Sequence, residues 1–420
     1  MNRKSHAHLS DLAGVTRVVT DVTAEVTDIA ELLHRNIAHT HGLRGTPIEE
    51  RTSSIAGAVY EGVRGMARLL SNMANQVLTQ SAPILDEGSS LEREAMLSAL
   101  NGVMGDYLAA TGNPLAIPMR LRRNGQPLMP AMMLNQTLLD SALPTSPDRL
   151  LVQVHGLCMN DLQWTRKDSD FGAALARDHG YTPVHLHYNS GLHTSTNGRA
   201  FANLLESLLR QWPAPLKEFA ILAHSMGGLV ARSAYHYATA GGLAWPRHLR
   251  KLVFLGTPHH GSLLERGGNW IDTGLAMNPY TAPFARLGKL RSAGITDLRY
   301  GNLLDEDWQG LDRFEHTGDI RHPVPLPEAV QCYAIAANLG DKTSDLLGDG
   351  IVQVNSALGR HHDPEKTLSF APSRLWIGNG LNHWNLLSDP AVYEVIRRWL
   401  EPTKGAHRNS HLQRQTTPDR

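Results

Sequence analysis

Residues 219–228 read Phe-Ala-Ile-Leu-Ala-His-Ser-Met-Gly-Gly, an apolar run that stops abruptly at a serine with small neighbours. This pattern predicts a buried strand that breaks sharply into a helix, with the serine hydroxyl at the tip of the turn. Such a turn is strained, so the positions two before and two after the serine must be small; here they are Ala223 and Gly227. Leu229, Val230 and Ala231 then open an apolar helix. A five-residue pattern recurs by chance, but the strand–serine–helix context makes Ser225 a candidate nucleophile. The competing reading is an ordinary turn with a bystander serine.

A serine hydroxyl is a poor nucleophile unless a base lies within hydrogen-bond reach, itself oriented by a carboxylate. Where such a turn occurs, the partners follow in the order serine, acid, histidine. After a predicted strand over Ala329–Ala337 comes Asp341-Lys-Thr-Ser-Asp345-Leu-Leu-Gly-Asp349-Gly-Ile-Val. Asp349 is the candidate acid because flanking glycines permit a tight turn that aims its carboxylate inward; Asp341 and Asp345 compete with it. The candidate base is His383, in the Gly/Asn-rich loop Ile-Gly-Asn-Gly-Leu-Asn-His-Trp-Asn after the last predicted strand. His361 and His362 are rivals, in a charged stretch that reads as a solvated loop.

Acyl transfer also needs donors for the developing oxyanion. The backbone N–H of Met226, directly after the serine, is one candidate. The other is the N–H of Leu157, in the loop Val154-His-Gly-Leu-Cys-Met-Asn160, where Gly156 allows a tight turn. Cys158 in that loop raises a cysteine-nucleophile alternative. No histidine–acid pair is better placed for it than for Ser225, so a buried thiol is the preferred reading.

From residue 149 onward short apolar strands alternate with helices. Strands are predicted at Leu150–Val154, Pro183–His187, Glu218–His224, Lys251–Gly256, Ala329–Ala337 and Arg374–Gly378. Helices are predicted at Phe171–Arg177, Arg199–Trp212, Leu229–Ala238 and Ala391–Leu400. This alternation argues for an α/β fold with a mostly parallel sheet covered on both faces, and with ligands beyond the carboxyl ends of the strands. Residues 262–328 interrupt the rhythm and are read as a lid-like insert over the site. Its apolar residues, among them Trp270, Ile271, Leu275, Met277, Tyr280, Phe284 and Leu287, favour a lipophilic acyl chain. The polar segment Tyr188–Gly198 is expected to line the pocket as well, or to be a plain loop.

The first 145 residues carry amphipathic helical stripes instead. Val15, Val19, Val22, Val26, Ile29 and Leu33 form one, and Ile55, Val59, Val63, Met66, Leu70, Met73 and Val77 a second. A third spans Leu91 to Leu108. Their expected role is to pack on one another and on the catalytic domain; contact with a lipid or polymer surface is the alternative. Asn124-Gly125 signals a hairpin. The domain reading is therefore a helical region over 1–145, a catalytic domain over 146–402 and a disordered polar tail over 403–420.

Lys plus Arg and Asp plus Glu both number 40, so no net charge favours nucleic acid or an anionic membrane. No apolar stretch reaches the roughly 18 residues needed to span a bilayer. The polar N-terminus and only two cysteines point to the cytoplasm. None of the 22 histidines falls in a metal-binding spacing, so neither metal nor cofactor is expected.

Together, VHGL, AHSMGG, FLGTPHHGS (Phe254–Ser262), GDGIV and LNHWNLL resemble bacterial lipases and esterases of the α/β-hydrolase fold. The closest likeness is to lipase-like proteins of the inositol-deacylase branch that acts on glycolipid anchors. The resemblance covers about residues 149–401, with five motifs in the family's order. It implies Ser225, Asp349 and His383 as a triad, Leu157 and Met226 as oxyanion donors, and His259 and His260 as structural turn residues. Two departures stand out: the serine turn begins with Ala223 rather than glycine, and the first 145 residues match no named family. The expected function is hydrolysis of lipophilic carboxylic esters through an acyl-enzyme. Alternatives are an intracellular depolymerase of storage polyesters such as polyhydroxyalkanoate, and a non-catalytic scaffold with a vestigial site.

Overall fold

The computed structural model describes residue 14 and residues 91–123, 125–128, 147–262, 291–313, 315, 318–340 and 348–402. The amphipathic stripes over 15–33 and 55–77, the apolar positions 270–287, Asp341, Asp345 and the tail over 403–420 lie outside these residues.

Eight strands form the main sheet: β1 (Arg120–Arg123), β2 (Gln126–Pro127), β3 (Arg149–Val154), β4 (Thr182–His187), β5 (Glu218–His224), β6 (Lys251–Leu255), β7 (Gln331–Asn338) and β8 (Leu375–Asn379). Their order across the sheet is β8-β7-β6-β5-β3-β4-β1-β2. From β4 to β8 every neighbouring pair is parallel, whereas the β1–β2 hairpin adds to β4 antiparallel. The six parallel strands match the predicted positions to within two residues at each end, because short buried runs bounded by loops are legible from composition.

Side chains alternate across the sheet. Leu150, Val152, Val154, Phe219, Ile221, Ala223, Leu252 and Phe254 join one buried cluster; Leu151, Ala220, Leu222, Val253 and Leu255 join the other. The first face is covered by α1 (Leu91–Ala110), α3 (Thr194–Arg210) and α4 (Met226–Ala240), through Val103, Leu108, Phe201, Leu205, Val230 and Ala234. The second is covered by α2 (Phe171–His179) and α6 (Pro390–Trp399), through Phe171, Leu175, Val392 and Ile396. A further short helix, α5 (Ala293–Asp297), packs against α1. This is a three-layer α/β sandwich of the α/β-hydrolase fold.

The chain leaves β3 to build β4 on one side, then crosses to build β5 on the other. The order reverses at β3, so the crevice for a ligand opens beyond the carboxyl ends of β3 and β5. The loop after β3 and the turn after β5 meet there. A Cβ at Gly227 would lie 2.5 Å from the carbonyl oxygens of both Val154 and His155, which is too close for any side chain. Gly227→Ala is therefore expected to lower stability by about 1–3 kcal/mol, the usual cost of overpacking. A urea midpoint equal to wild type would mean that α4 can move off the end of β3.

No helix among the described residues is long and apolar enough to cross a membrane. Residues 91–123 and 125–128 continue the core built by the later strands. Glu94 on α1 accepts from Arg122 on β1 at 2.8 Å, and Asn189 after β4 donates to the Gly105 carbonyl at 2.8 Å.

Candidate active site

All seven residues of β5 are buried, and the strand ends in a backbone conformation that L-residues rarely adopt: Ser225 has φ 54° and ψ −129°. Strain of this kind persists only where surrounding contacts hold it. Here the Ser225 N–H donates to the Leu255 carbonyl of β6 at 2.8 Å, and the Gly228 N–H donates to the Ser225 carbonyl at 3.0 Å as α4 begins. Ala223 pairs with Val154 on one side and Phe254 on the other and is fully buried, so a methyl group is tolerated at this end of the turn.

Asp349 sits between two glycines whose positive φ values, 54° for Gly348 and 91° for Gly350, shape its turn. Its Oδ1 accepts the N–H groups of Ile351 at 2.9 Å and Val352 at 2.7 Å, leaving Oδ2 to face His383. His383 Nδ1 lies 2.6 Å from Asp349 Oδ2, and the His383 N–H donates to the Asp349 carbonyl at 3.1 Å. Two bonds thus lock this pair, and an Nδ1–H donated to the carboxylate leaves Nε2 as the ring nitrogen able to accept a proton. Ser225, Asp349 and His383 are each at most 3 % exposed.

Packing brings the pair to the serine turn. A Cβ at Gly256, which follows the strand that anchors Ser225, would be 3.1 Å from the His383 ring. The ring of His224, the residue before the serine, is centred 4.7 Å from that of His383. Among the described residues Ser225 Oγ makes no hydrogen bond to His383, a contact that commonly tightens only when substrate arrives.

Gly156 after β3 faces the turn, and a Cβ there would be 2.9 Å from Ser225 Cβ. Neither the Leu157 N–H nor the Met226 N–H donates to an acceptor among the described residues. Backbone donors left open beside a serine are what an oxyanion requires. The loop is held from behind: the Tyr188 hydroxyl donates to the His155 carbonyl at 2.8 Å, and the Cys158 N–H donates to Ser190 Oγ at 3.0 Å. Burial pushes the Cys158 thiol up to about 12, so it stays protonated and unreactive at neutral pH.

The rival histidines belong elsewhere. His361 Nε2 lies 3.3 Å from Asp319, and its ring packs against those of His260 and His362. The polar segment over 188–198 is engaged internally: Asn197 donates to the Asn189 carbonyl, His193 contacts Asp297, and α3 begins at Thr194.

Two supports were missed in the sequence. His224 Nε2 lies 3.3 Å from the His383 carbonyl and steadies the loop that carries His383. Burial keeps its ring well below the ordinary histidine range, so it is neutral. A lone histidine closing an otherwise apolar strand was the available signal. The other support is α1, whose Gly102 allows Cys158 to pack directly against the helix. Nothing in a helical stripe reveals which loop it will back.

Residues 198–320 match the family model of the PGAP1-like alpha/beta domain, a span that contains Ser225. The matched part of the chain is a PGAP1-like α/β domain. Its structure is similar to that of the lipase BlEst2 of Bacillus licheniformis in its mature form, with 18% identity over 62% of this chain and 95% of that one, at a TM-score of 0.41. It is also similar to the Pyrococcus furiosus esterase Pf2001, with 15% identity over 60% and 82% of the two chains and a TM-score of 0.34. Similarity to the phospholipase PlaB of Legionella pneumophila has 18% identity over 60% and 59%, with a TM-score of 0.38. Comparison with curated proteins found no match. Strand order and the strained serine turn carry the fold assignment.

Proposed function

We propose that this protein hydrolyses carboxylic esters of lipophilic acyl groups, with Ser225 as nucleophile, His383 as general base and Asp349 as its orienting acid. The supporting observation is the doubly bonded His383–Asp349 pair packed against a strained serine turn. Ser225 Oγ attacks the ester carbonyl carbon while its proton passes to His383 Nε2. The oxyanion takes hydrogen bonds from the Leu157 and Met226 N–H groups. Collapse expels the alcohol, which leaves with the proton from Nε2, and an acyl-enzyme remains. Water, deprotonated by the same nitrogen, then releases the carboxylic acid and restores the serine.

In this reading residues 146–402 are the catalytic domain, joined in one core by residues 91–123 and 125–128, 262–328 form its lid, and the amphipathic stripes over 15–33 and 55–77 can meet a lipid or polymer surface. We place the protein in the cytoplasm, with both cysteines as free thiols. A fluorophosphonate probe tests the chemistry. Wild type is expected to label at Ser225 and to hydrolyse p-nitrophenyl esters, with turnover rising as the acyl chain lengthens. Folded wild type that neither labels nor turns over ester would instead support a non-catalytic scaffold.

A further inference from the structure

Two turns along α4 from the serine turn, a second group of polar side chains is buried. Arg232 lies seven residues beyond Ser225, about 10 Å along the helix, and is 5% exposed. One Nη–H donates to His259 Nδ1 at 3.3 Å and the other to the Val324 carbonyl, while Nε–H is buried with no acceptor among the described residues. None of the described carboxylates forms an ion pair with this guanidinium. Its charged neighbour is Arg321, and burial together with that neighbour holds it down to about 9. Since His259 accepts at Nδ1, its ring proton sits on Nε2, and that N–H is likewise buried without an acceptor among the described residues.

The surrounding charges do not cancel. Arg321 places Nε and Nη2 on Asp319, each at 2.8 Å, and Nη1 on the His259 and Gly301 carbonyls. Lys366 shares Asp319 at 3.5 Å. Asp307 accepts the N–H groups of Leu303, Leu304 and His322. Three cations therefore face two carboxylates. Burial and the adjacent arginines keep His259 well below the ordinary histidine range and His260 at about 3, so neither adds charge. Arg232, His259, His260, Asp307, Arg321 and Lys366 line a cleft of about 290 Å³, part of it open to solvent.

A buried guanidinium without a counter-charge is costly, and so is each buried N–H without an acceptor. A metal cation would be repelled, and a neutral carbonyl would leave the charge standing. One carboxylate has two oxygens in a plane, whereas a phosphate spreads its oxygens over several directions and suits arginine. We propose that this cleft binds a phosphate group against the positive charge of Arg232, Arg321 and Lys366, apart from the serine site. Free phosphate and a phosphate carried by the ester substrate offer the same chemistry.

Calorimetric titration of inorganic phosphate into the full chain, at ionic strength held with chloride, tests the site. One saturable site is expected in wild type. Arg232→Met is expected to weaken it at least about tenfold, as loss of a charged hydrogen bond does. Lys366→Ala, at the cleft wall, is expected to weaken it several-fold without touching the core. The proposal fails if wild type takes no phosphate at millimolar concentration, if acetate binds equally well, or if both variants bind like wild type. Turnover then separates the sources: a KM increase in Lys366→Ala confined to phosphate-bearing esters assigns the phosphate to the substrate, and unchanged KM values assign the free anion. Loss of phosphate binding with ester turnover retained overturns only this inference. Phosphate binding without turnover overturns only the hydrolase reading.

Discussion

Ser225→Ala is expected to reduce kcat for ester hydrolysis by a factor on the order of 10⁴–10⁶, with KM little changed. In the proposed mechanism the hydroxyl is not a binding group; it forms the bond that becomes the acyl-enzyme, so its loss falls on the chemical step. His383→Ala is expected to cost about as much. The double variant should be no worse than either single one, because the two groups act as one unit. Asp349→Asn keeps the turn but removes the charge that holds the Nδ1 proton, and a drop of roughly 10⁴ is expected. Residual activity then comes from the Leu157 and Met226 donors. Additive losses across these variants, measured by steady-state kinetics, would show that the three residues do not form one relay.

Acidification is expected to unfold the protein well before its carboxylates titrate fully. Burial lowers His155 to about 3, His187 to about 2 and His260 to about 3. In the unfolded chain these rings take up protons near pH 6.5, so between pH 6.5 and about 3 the unfolded state binds more protons than the folded state. Stability therefore rises with pH across that window and is lost as pH falls through it. Each ring contributes about 1.4 kcal/mol per pH unit, and three together roughly 4, against a typical total of 5–15 kcal/mol. His224 and His259, also held low by burial, act in the same direction. The urea midpoint is expected to fall steeply from pH 7 to pH 5 and less steeply in His155→Gln. A flat midpoint over that range would mean that these rings are solvated in the folded protein.

Much of the architecture was legible because it rests on local demands. Buried parallel strands need short apolar runs, and β5 with its serine turn shows one that stops where only small residues fit. Asp349 stood out from its sequence neighbours because flanking glycines permit left-handed backbone, and both adopt it. Contacts made at long range were not legible. Nothing in the stripe over residues 91–108 shows that α1 backs the loop carrying Leu157 and Cys158. Similarly, the hairpin signal at Asn124-Gly125 says nothing about which edge receives β1.

By itself, the sequence determined the alternation of strands and helices and the small set of candidate residues for acyl transfer, because periodicity and backbone strain act within a few positions. Only the tertiary structure decided that His383 meets Asp349 rather than solvent. It alone decided that the Cys158 thiol is inert, and that Arg232 on α4 faces Arg321 and Lys366 across a cleft. Those outcomes depend on how the crossovers after β5, β6 and β7 stack distant segments, and burial then sets the charge and proton state of each group they enclose.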